Sequence, residues 1–389
     1  MLSRKLWIPL TLLWLAGAGL RLTVLAVPPV IPLIHAELHM SETGIGTLGA
    51  LPSLLFAFAA VPGAILIARF GAVPALVFGL GLAAIGSAAR GAAPDSAWLF
   101  AATVAMSAGI AVMQPALPPL VRSWLPRHVG FGTAVFTNGL LVGETLPVAL
   151  TLPFVLPLVG SWRWSFVFWG VPVLLTALLF LYLAPVDAKP TMAQRRNWWP
   201  DWKDPLVWRL ALMLGCVNTI YFATNTFLPD YLHAVGGDRY IGPALTALNF
   251  CQLPASLLML LVAERLVRRR LAYIVPALLV LASAVGMAAM PGRAIIGWAG
   301  LLGFANAAML ILMLALPSLL AAPEDVHRVS AAMFTISYPM AVALPILAGL
   351  LWDWSGLAAA AFAPAALCAI GILALAPTID LHRREAASR

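Results

Sequence analysis

Charged residues are scarce in this sequence. They make up 10% of the 389 residues, whereas 62% are hydrophobic, and an average soluble domain is about 25% charged. A soluble fold of this length would have too little polar surface to cover itself, which excludes the soluble globular class. In a membrane protein lipid takes the place of that surface, so the composition predicts a membrane protein.

Cysteine is also scarce, and the residues that build metal or nucleotide sites are not clustered. Cys216, Cys251 and Cys368 lie in apolar runs without metal-ligand spacing, so we expect packing roles and neither a metal nor another cofactor. The six histidines are scattered, which makes a membrane-embedded enzyme a poor alternative. No Gly-x4-Gly-Lys-(Ser/Thr) segment occurs, which argues against an ATP-driven pump.

Long hydrophobic runs dominate the rest of the chain. A spanning helix needs about 20 mostly apolar residues. Twelve runs meet this requirement, numbered 1 to 12 in chain order: 7–34, 45–68, 72–92, 97–120, 130–158, 164–184, 206–233, 241–263, 271–291, 294–321, 329–351 and 356–378. Run 1 is longer than the apolar core of a cleaved signal peptide, about 7–15 residues, so we expect a retained helix. We predict an all-α membrane protein with twelve transmembrane helices.

Positive charge is distributed unevenly among the loops. With the N-terminus placed in the cytoplasm, 18 of the 23 lysines and arginines fall on the cytoplasmic side. Only Arg90, Arg163, Arg239 and Arg293 fall outside. The positive-inside rule then predicts a bacterial-type inner membrane protein with both ends cytoplasmic. The net charge of +8 is read as an orientation signal facing anionic lipid, and we expect no nucleic-acid partner.

The two halves of the chain are related in sequence. Several short segments recur at an offset of 198 or 199 residues: Phe136-Thr137 as Phe334-Thr335, Leu146-Pro147 as Leu344-Pro345, and Ala-Leu-Pro at 116–118 as Ala-Leu-Pro at 315–317. This pattern indicates a duplicated six-helix unit. We predict an N-terminal bundle at 1–184, a cytoplasmic linker at 185–205 and a C-terminal bundle at 206–389. Parallel repeats of this kind characterise a transporter architecture with a mid-membrane substrate site between the halves.

Twelve helices, a long middle loop and parallel repeats resemble the major facilitator superfamily. That superfamily carries Gly-x3-Asp-x2-Gly-Arg-x-(Arg/Lys) between helices 2 and 3. The matching stretch here keeps Arg69 and Gly71, with alanine at the acidic position. The corresponding stretch after run 8 has Glu264, Arg268 and Arg270 at the acidic and basic positions. The resemblance implies a gating role for these three, and ordinary positive-inside charge is the alternative.

Within the superfamily the chain resembles the cyanate and nitroimidazole porter branch. The similar segments lie in runs 1, 2, 4, 7 and 8: Gly19-Leu20-Arg21, residues 47–52, residues 109–118, Leu228-Pro229, and Gln252. Two positions depart from the branch. Leu22 stands where proline is frequent, and Glu144 stands where a small residue is usual. The branch implies a monomer.

Arg21 is the outstanding candidate for function. A charge at the centre of a membrane helix costs roughly 2.5–3.5 kcal/mol on insertion scales. Arg21 lies 14 residues after Trp7, which is about 21 Å along a helix and too deep for easy snorkelling. We expect its guanidinium to hold an anion by paired hydrogen bonds. The alternative is a structural tie to helix carbonyls or to a buried acid.

Glu144 is the natural counterpart, because it lies at a similar predicted depth in run 5. Gly139 and Gly143 precede it at four-residue spacing, which lets another helix approach closely. Glu144 could neutralise Arg21 when the site is empty, or it could bind and release a proton. A static buried pair is the third reading. At the repeat offset of 198, Thr219 and Val342 replace the two charged residues, so the second half must contribute neutral contacts.

Polar stripes in the second half supply candidates for those contacts. Asn218, Tyr221 and Asn225 share one face of run 7, and Asn249 and Gln252 share one face of run 8. Such stripes face a cavity or another helix. Further candidates of the same kind lie elsewhere: Gln114, Asn138, Asn306 and Tyr338.

Together these features predict a secondary transporter that works by alternating access. The expected substrate is a small anionic or polar molecule bound near Arg21, with possible proton coupling through Glu144. A multidrug/proton antiporter for lipophilic compounds is the main alternative. A lone buried acid would suit that alternative, but an arginine would repel cations. A channel is disfavoured because the sequence shows no charged ring.

Overall fold

The computed structural model describes residues 6–40, 42–185, 198–290 and 292–381, and in these ranges the chain is helical without a strand. Fourteen helices are labelled here in chain order. They are α1 Trp7–Gly19, α2 Ile31–Leu38, α3 Glu42–Phe70, α4 Ala72–Gly91, α5 Ser96–Trp124, α6 Val129–Leu150, α7 Trp162–Leu183, α8 Pro205–Ala234, α9 Ile241–Phe250, α10 Gln252–Leu266, α11 Leu271–Ala289, α12 Ala294–Leu320, α13 Val326–Ser355 and α14 Ala363–Leu375.

The helices have apolar middles and polar ends. Eleven helical stretches of the described chain are long and apolar enough to cross a membrane. Three of them begin at a side chain that accepts a hydrogen bond from the first turn: Asp95, Ser161 and Asp204. Such caps satisfy amide groups that have no partner inside the helix. The chain is therefore a multi-pass membrane protein, as its composition predicts.

The predicted run 1 is not one continuous helix. Helix α1 ends at Gly19, residues 20–27 form irregular turns, and a 3-10 turn at Pro28–Val30 leads into α2. Within the break the amide of Arg21 bonds the Ala18 carbonyl at 3.0 Å, three residues back instead of four. Pro28, Pro29 and Pro32 explain why the helix does not resume directly before residue 28, because proline has no amide hydrogen and disfavours helical geometry in the preceding residue.

The other eleven predicted runs correspond to helical stretches whose ends differ by a few residues. Run 5 extends past α6 through a π-helical turn at Thr151–Val155 and a last turn at Leu156–Val159. Pro153 lies in that turn and removes an amide donor from the regular ladder. Run 8 is divided at Cys251 between α9 and α10.

The chain divides into two compact units. The first contains Met1–Arg127, Val135–Pro200 and Ala322–Ala331, and the second contains His128–Ala134, Asp201–Ala321 and Ala332–Arg389. Helices α6 and α13 therefore each begin in one unit and continue in the other. Most of the predicted linker, residues 186–197, lies outside the described residues, as do Arg383, Arg384 and Arg389.

Small residues mark the helix crossings within each unit. In the first, a Cβ added to Gly79 of α4 would lie 2.6 Å from the Gly109 carbonyl oxygen of α5. In the second, a Cβ added to Gly303 of α12 would overlap the Leu248 carbonyl of α9. Helices in lipid gain from such close backbone contact. The opposite faces expose large apolar side chains, which suits lipid: Leu174, Leu175, Leu178 and Leu181 of α7 are examples.

Candidate functional site

Helices α1 and α6 cross at very short range beside the break that contains Arg21. A Cβ added to Gly139 would overlap the Trp14 carbonyl, and one added to Gly143 would overlap the Ala18 carbonyl. From the other side, a Cβ on Gly17 would overlap the Phe136 carbonyl. The close approach predicted from the two α6 glycines is thus present, and α1 is its partner.

Arg21 lies three residues beyond this crossing. It is half-buried in the irregular stretch, and its guanidinium carbon is 5.9 Å from the centre of the Phe56 ring of α3. An aromatic face at this distance attracts a cation. Glu144 directly follows Gly143 on α6 and is also half-buried. The two charged candidates therefore lie near one helix crossing, Arg21 just after the end of α1 and Glu144 on α6.

The two polar candidates of the first unit are buried. Asn138 of α6 accepts a hydrogen bond from the Trp14 indole nitrogen at 2.9 Å, on the same crossing. Gln114 is buried on α5. Trp14 was missed by sequence reasoning, because an indole within an apolar run gives no separate signal. Its bond shows that Asn138 helps to hold α1 against α6.

Arg90 was also missed, because it was assigned to a loop on the outer side. It is the penultimate residue of α4 and is fully buried. Its Nη2 donates to the Thr23 carbonyl at 2.7 Å and to Ser87 Oγ at 3.0 Å, and its guanidinium carbon lies 4.3 Å from the centre of the Phe166 ring. The available signal was its position inside run 3, where a charge demands an explanation.

A second charged cluster joins α2 to the start of α7. Glu37 accepts a hydrogen bond from the Trp162 indole at 2.5 Å and bonds from Arg163 Nε and Nη2 at 3.1 and 2.9 Å. Arg163 Nη1 also donates to the Ala93 carbonyl. The Trp162 hydrogen bond, followed by that of Arg163, lowers the pKa of the Glu37 carboxyl below its usual value.

Four predicted residues of the second unit form one hydrogen-bond network. The Tyr221 hydroxyl donates to Asn249 Oδ1, and Asn249 Nδ2 donates to Asn225 Oδ1, both at 2.9 Å. Gln252 Nε2 reaches the same Asn249 oxygen at 3.4 Å. The structure therefore brings together the polar stripes of runs 7 and 8.

Asn249 is the hub of this network and has little capacity left. Its oxygen accepts two bonds, and its Nδ2 donates both to Asn225 and to the Leu245 carbonyl at 2.9 Å, which uses every site of an amide. Gln252 differs: its bond to Asn249 uses one of the two hydrogens of Nε2. Of the two amides on α9 and α10, Gln252 is the one able to receive a ligand.

The remaining predicted residues of the second unit lie outside the network. Asn218 Nδ2 donates to Ser337 Oγ. Tyr338 is buried and stacks on Phe334, with ring centres 6.2 Å apart. Asn306 is buried on α12, and its Oδ1 lacks a partner among the described residues.

The predicted gating acid, Glu264, contacts the start of α6 within the second unit. Its Oε2 accepts a bond from the Phe131 amide at 3.2 Å, and a Cβ on Gly130 would lie 2.9 Å from the Glu264 backbone. A carboxylate at a helix N-terminus is stabilised by free amides and by the helix dipole. Arg268 donates to the Leu381 carbonyl at 3.4 Å, and Arg270 is exposed.

An interrupted first helix with charged and amide side chains buried nearby is typical of membrane transporters. The family model of the Major Facilitator Superfamily matches residues 13–337, and the chain belongs to that superfamily. It is a secondary transporter of small molecules and not an enzyme. The fold agrees with a solved structure, the crystal structure of the transporter FucP in the outward conformation. The TM-score is 0.79 at 16% identity, covering 96% of this chain and 99% of that one.

The curated relatives include three bacterial transporters. The uncharacterized transporter YycB of Bacillus subtilis (strain 168) is 26% identical over 340 residues, 86% of this chain and 84% of that protein. The 2-nitroimidazole transporter of Escherichia coli (strain K12) is 27% identical over 343 residues, 87% and 86% of the two chains. The cyanate transport protein CynX of the same strain is 24% identical over 369 residues, 94% and 95%. The resemblance to this branch agrees with the sequence motifs.

Proposed function

We propose that this transporter moves a small anionic or polar solute by alternating access, with Arg21 as the main contact of the solute. The observation that carries the proposal is the position of Arg21 in the broken stretch 20–27, next to the glycine crossing of α1 and α6. At membrane depth, irregular backbone is tolerated where it is buried in protein or lines a cavity. Transporters use such interrupted helices at their binding sites.

The chemistry of arginine favours an anion over a cation. A guanidinium binds planar or small anions through two parallel hydrogen bonds, and it stays charged when half-buried. The names of two relatives support the same class of solute, because cyanate is a small anion and 2-nitroimidazole is a small polar ring. At 24% and 27% identity, they support the class rather than either compound.

We propose Glu144 as the coupling residue. It follows Gly143, whose backbone contacts α1 at Ala18, three residues before Arg21. In one mode the carboxylate neutralises Arg21 until the solute arrives. In the other mode it binds a proton on one side of the membrane and releases it on the other. The first mode makes solute binding independent of a proton, whereas the second makes transport depend on the proton gradient.

Neutral polar side chains of the second unit are proposed as further contacts on the path of the solute. Gln252 is the strongest member, because its Nε2 makes one bond in the described structure and an amide nitrogen can donate two. Asn225, Asn218, Asn306 and Tyr338 are weaker ones. Asn249 is instead proposed to hold the network in shape. Glu264 is proposed as a gating residue, because its carboxylate accepts a bond from the Phe131 amide at the start of α6.

Ligand-dependent unfolding of the detergent-purified protein tests this function. The panel sets cyanate, nitrate and 2-nitroimidazole against tetraphenylphosphonium, a lipophilic cation. We expect at least one small anion to stabilise the wild type, by ~2.7 kcal/mol at 100 times its dissociation constant, and to lose its effect in Arg21→Ala. Arg239→Ala is the matched control, because Arg239 is exposed and should leave the response unchanged.

The opposite result supports the exporter alternative. If only tetraphenylphosphonium shifts the unfolding and Arg21→Ala behaves like the wild type, Arg21 is a structural residue and the anion proposal fails. Uptake of the stabilising compound into proteoliposomes is then measured with and without a pH gradient. A rate that depends on the gradient in the wild type but not in Glu144→Gln identifies Glu144 as the coupling acid.

A further inference from the structure

Arg90 lies near the end of α4, but its charged group does not extend toward the helix end. It occupies the last turn of α4, one residue after Ala89, whose carbonyl accepts a bond from the half-exposed Trp98 indole. Long basic side chains at such a position normally extend their charged group to the interface. The Arg90 side chain is fully buried instead, so its charge has been brought into the interior of the first unit.

The surroundings of Arg90 contain no compensating acid. Its bonds are to the Thr23 carbonyl and to Ser87 Oγ, and its guanidinium lies over the Phe166 ring. Within the described ranges it forms no ion pair, and its Nε and Nη1 are buried without a hydrogen-bond partner. A neutral donor would bind one carbonyl at a lower desolvation cost. The presence of a cation therefore needs a reason beyond one ordinary hydrogen bond.

The carbonyl that Arg90 binds provides that reason. Thr23 lies inside the broken stretch 20–27, two residues after Arg21. A break in a membrane helix leaves carbonyls that the helix no longer satisfies, and water is not available to replace the missing donor. A charged donor forms a stronger hydrogen bond than a neutral one. Ser87 Oγ accepts the second bond from Arg90. Its hydroxyl is held in place because it donates to the Phe166 carbonyl at 2.8 Å.

We propose that Arg90 is a positioning residue of the transport site. Its bond to the Thr23 carbonyl holds the broken stretch 20–27 in place and thereby fixes the location of Arg21. This inference rests on the proposed role of Arg21 as the solute contact. Arg90 itself does not touch the solute. Loss of Arg90 should loosen residues 20–30 first, and only through them weaken binding at Arg21.

Hydrogen–deuterium exchange measured by mass spectrometry on the full-length protein tests the positioning role without a substrate. In Arg90→Met, amide exchange of peptides covering 20–30 should rise about 10-fold, the effect expected from the loss of one charge-assisted bond. Arg90→Lys keeps a charged donor and should recover part of the protection. Arg209→Met is the matched control, because Arg209 also donates to a backbone carbonyl at 2.7 Å, that of Thr378, and should leave 20–30 unchanged.

Two exchange results overturn the proposal: no change in peptides 20–30, or an equal rise throughout the first unit. If Arg90→Met does not fold, Ser87→Ala and Arg90→Lys carry the same test, with smaller rises confined to the same peptides. Cyanate serves as the ligand probe. Stabilisation by cyanate that is weakened at least tenfold in affinity in Arg90→Met and restored in part by Arg90→Lys supports the proposal. If neither cyanate nor any other small solute of the panel stabilises any variant while exchange still rises locally, the proposed substrate class fails and the positioning role stands.

Discussion

Arg21 and Arg90 carry the same charge within apolar runs, yet sequence reasoning found only one of them. Arg21 lies near the middle of run 1, where any charge is conspicuous. Arg90 lies at the end of run 3, where it resembles an ordinary loop charge. The direction of a side chain near a helix end depends on the neighbouring helices. The sequence alone does not contain that information.

The amide cluster of the second unit shows the same limit. Spacing alone predicted that Tyr221, Asn225, Asn249 and Gln252 share faces, and the structure connects them. Spacing does not show how the donors and acceptors are shared. Only the network reveals that Asn249 is saturated and that the bond of Gln252 to Asn249 uses one of its two amide hydrogens, so the roles within the stripe could be assigned only from the structure.

Glu37 gives a pH dependence that can be predicted in sign. Because its folded-state pKa is lowered, its contribution to stability is complete above the unfolded value of about 4.3 and is lost as pH falls through the folded value. Glu37→Gln should be less stable than the wild type at pH 7, by less than ~1 kcal/mol because the side chain is 50% exposed. The difference should shrink below about pH 4.3. Chemical denaturation of both proteins at pH 7 and at pH 3.5 measures this difference in the free energy of unfolding.

Asp353→Asn provides the comparison for Glu37→Gln, because Asp353 is an exposed carboxylate on α13. It should show no comparable loss at pH 7. If the loss of stability in Glu37→Gln stays constant from pH 7 to pH 3.5, packing around Trp162, and not the carboxylate charge, stabilises the contact between α2 and α7.

At the scale of the helices, hydrophobic length predicted most of the chain correctly. Eleven of the twelve runs correspond to helical stretches within a few residues of their predicted ends. The first run is different, because an apolar sequence gives no sign of where a helix stops inside lipid. Its prolines at 28, 29 and 32 could have indicated a break. The irregular stretch begins at residue 20, eight residues before Pro28, and Arg90 of α4 binds its backbone at Thr23.

The glycine crossing of α1 and α6 should be intolerant of a single methyl group. Gly139→Ala and Gly143→Ala each place a Cβ against a carbonyl of α1, so the helices must separate. We expect each to destabilise the protein by ~1–3 kcal/mol, the usual effect of overpacking. Gly81→Ala on α4 is the control, because its Cβ would meet no atom within 4 Å. The free energy of unfolding of all three variants is measured in detergent. Equal stability of Gly139→Ala and Gly81→Ala would contradict the close crossing.

At the scale of the whole molecule, composition and internal repetition carried the prediction further than any motif. The low charge content indicated the membrane, and the number of apolar runs together with the repeated segments indicated a major facilitator fold. The superfamily match and the solved structure confirm that fold, whereas the duplication itself stays a prediction. The sequence did not show that α6 and α13 each contribute to both compact units. Membership of a unit depends on packing, whereas hydrophobic runs report only helix length.

Orientation is the molecule-wide property that the charge pattern predicts and that remains to be measured. Eighteen of 23 basic residues lie on one side of the predicted topology, and basic residues in short loops remain in the cytoplasm. A green fluorescent protein fused after Arg389 should therefore fluoresce, and alkaline phosphatase fused at the same position should be inactive. Alkaline phosphatase inserted at Gly237, between α8 and α9, should be active, and the same insertion after Trp202 should not. An active phosphatase at Trp202 and an inactive one at Gly237 would contradict the predicted topology. Glu37, Trp162 and Arg163 would then lie at the cytoplasmic face.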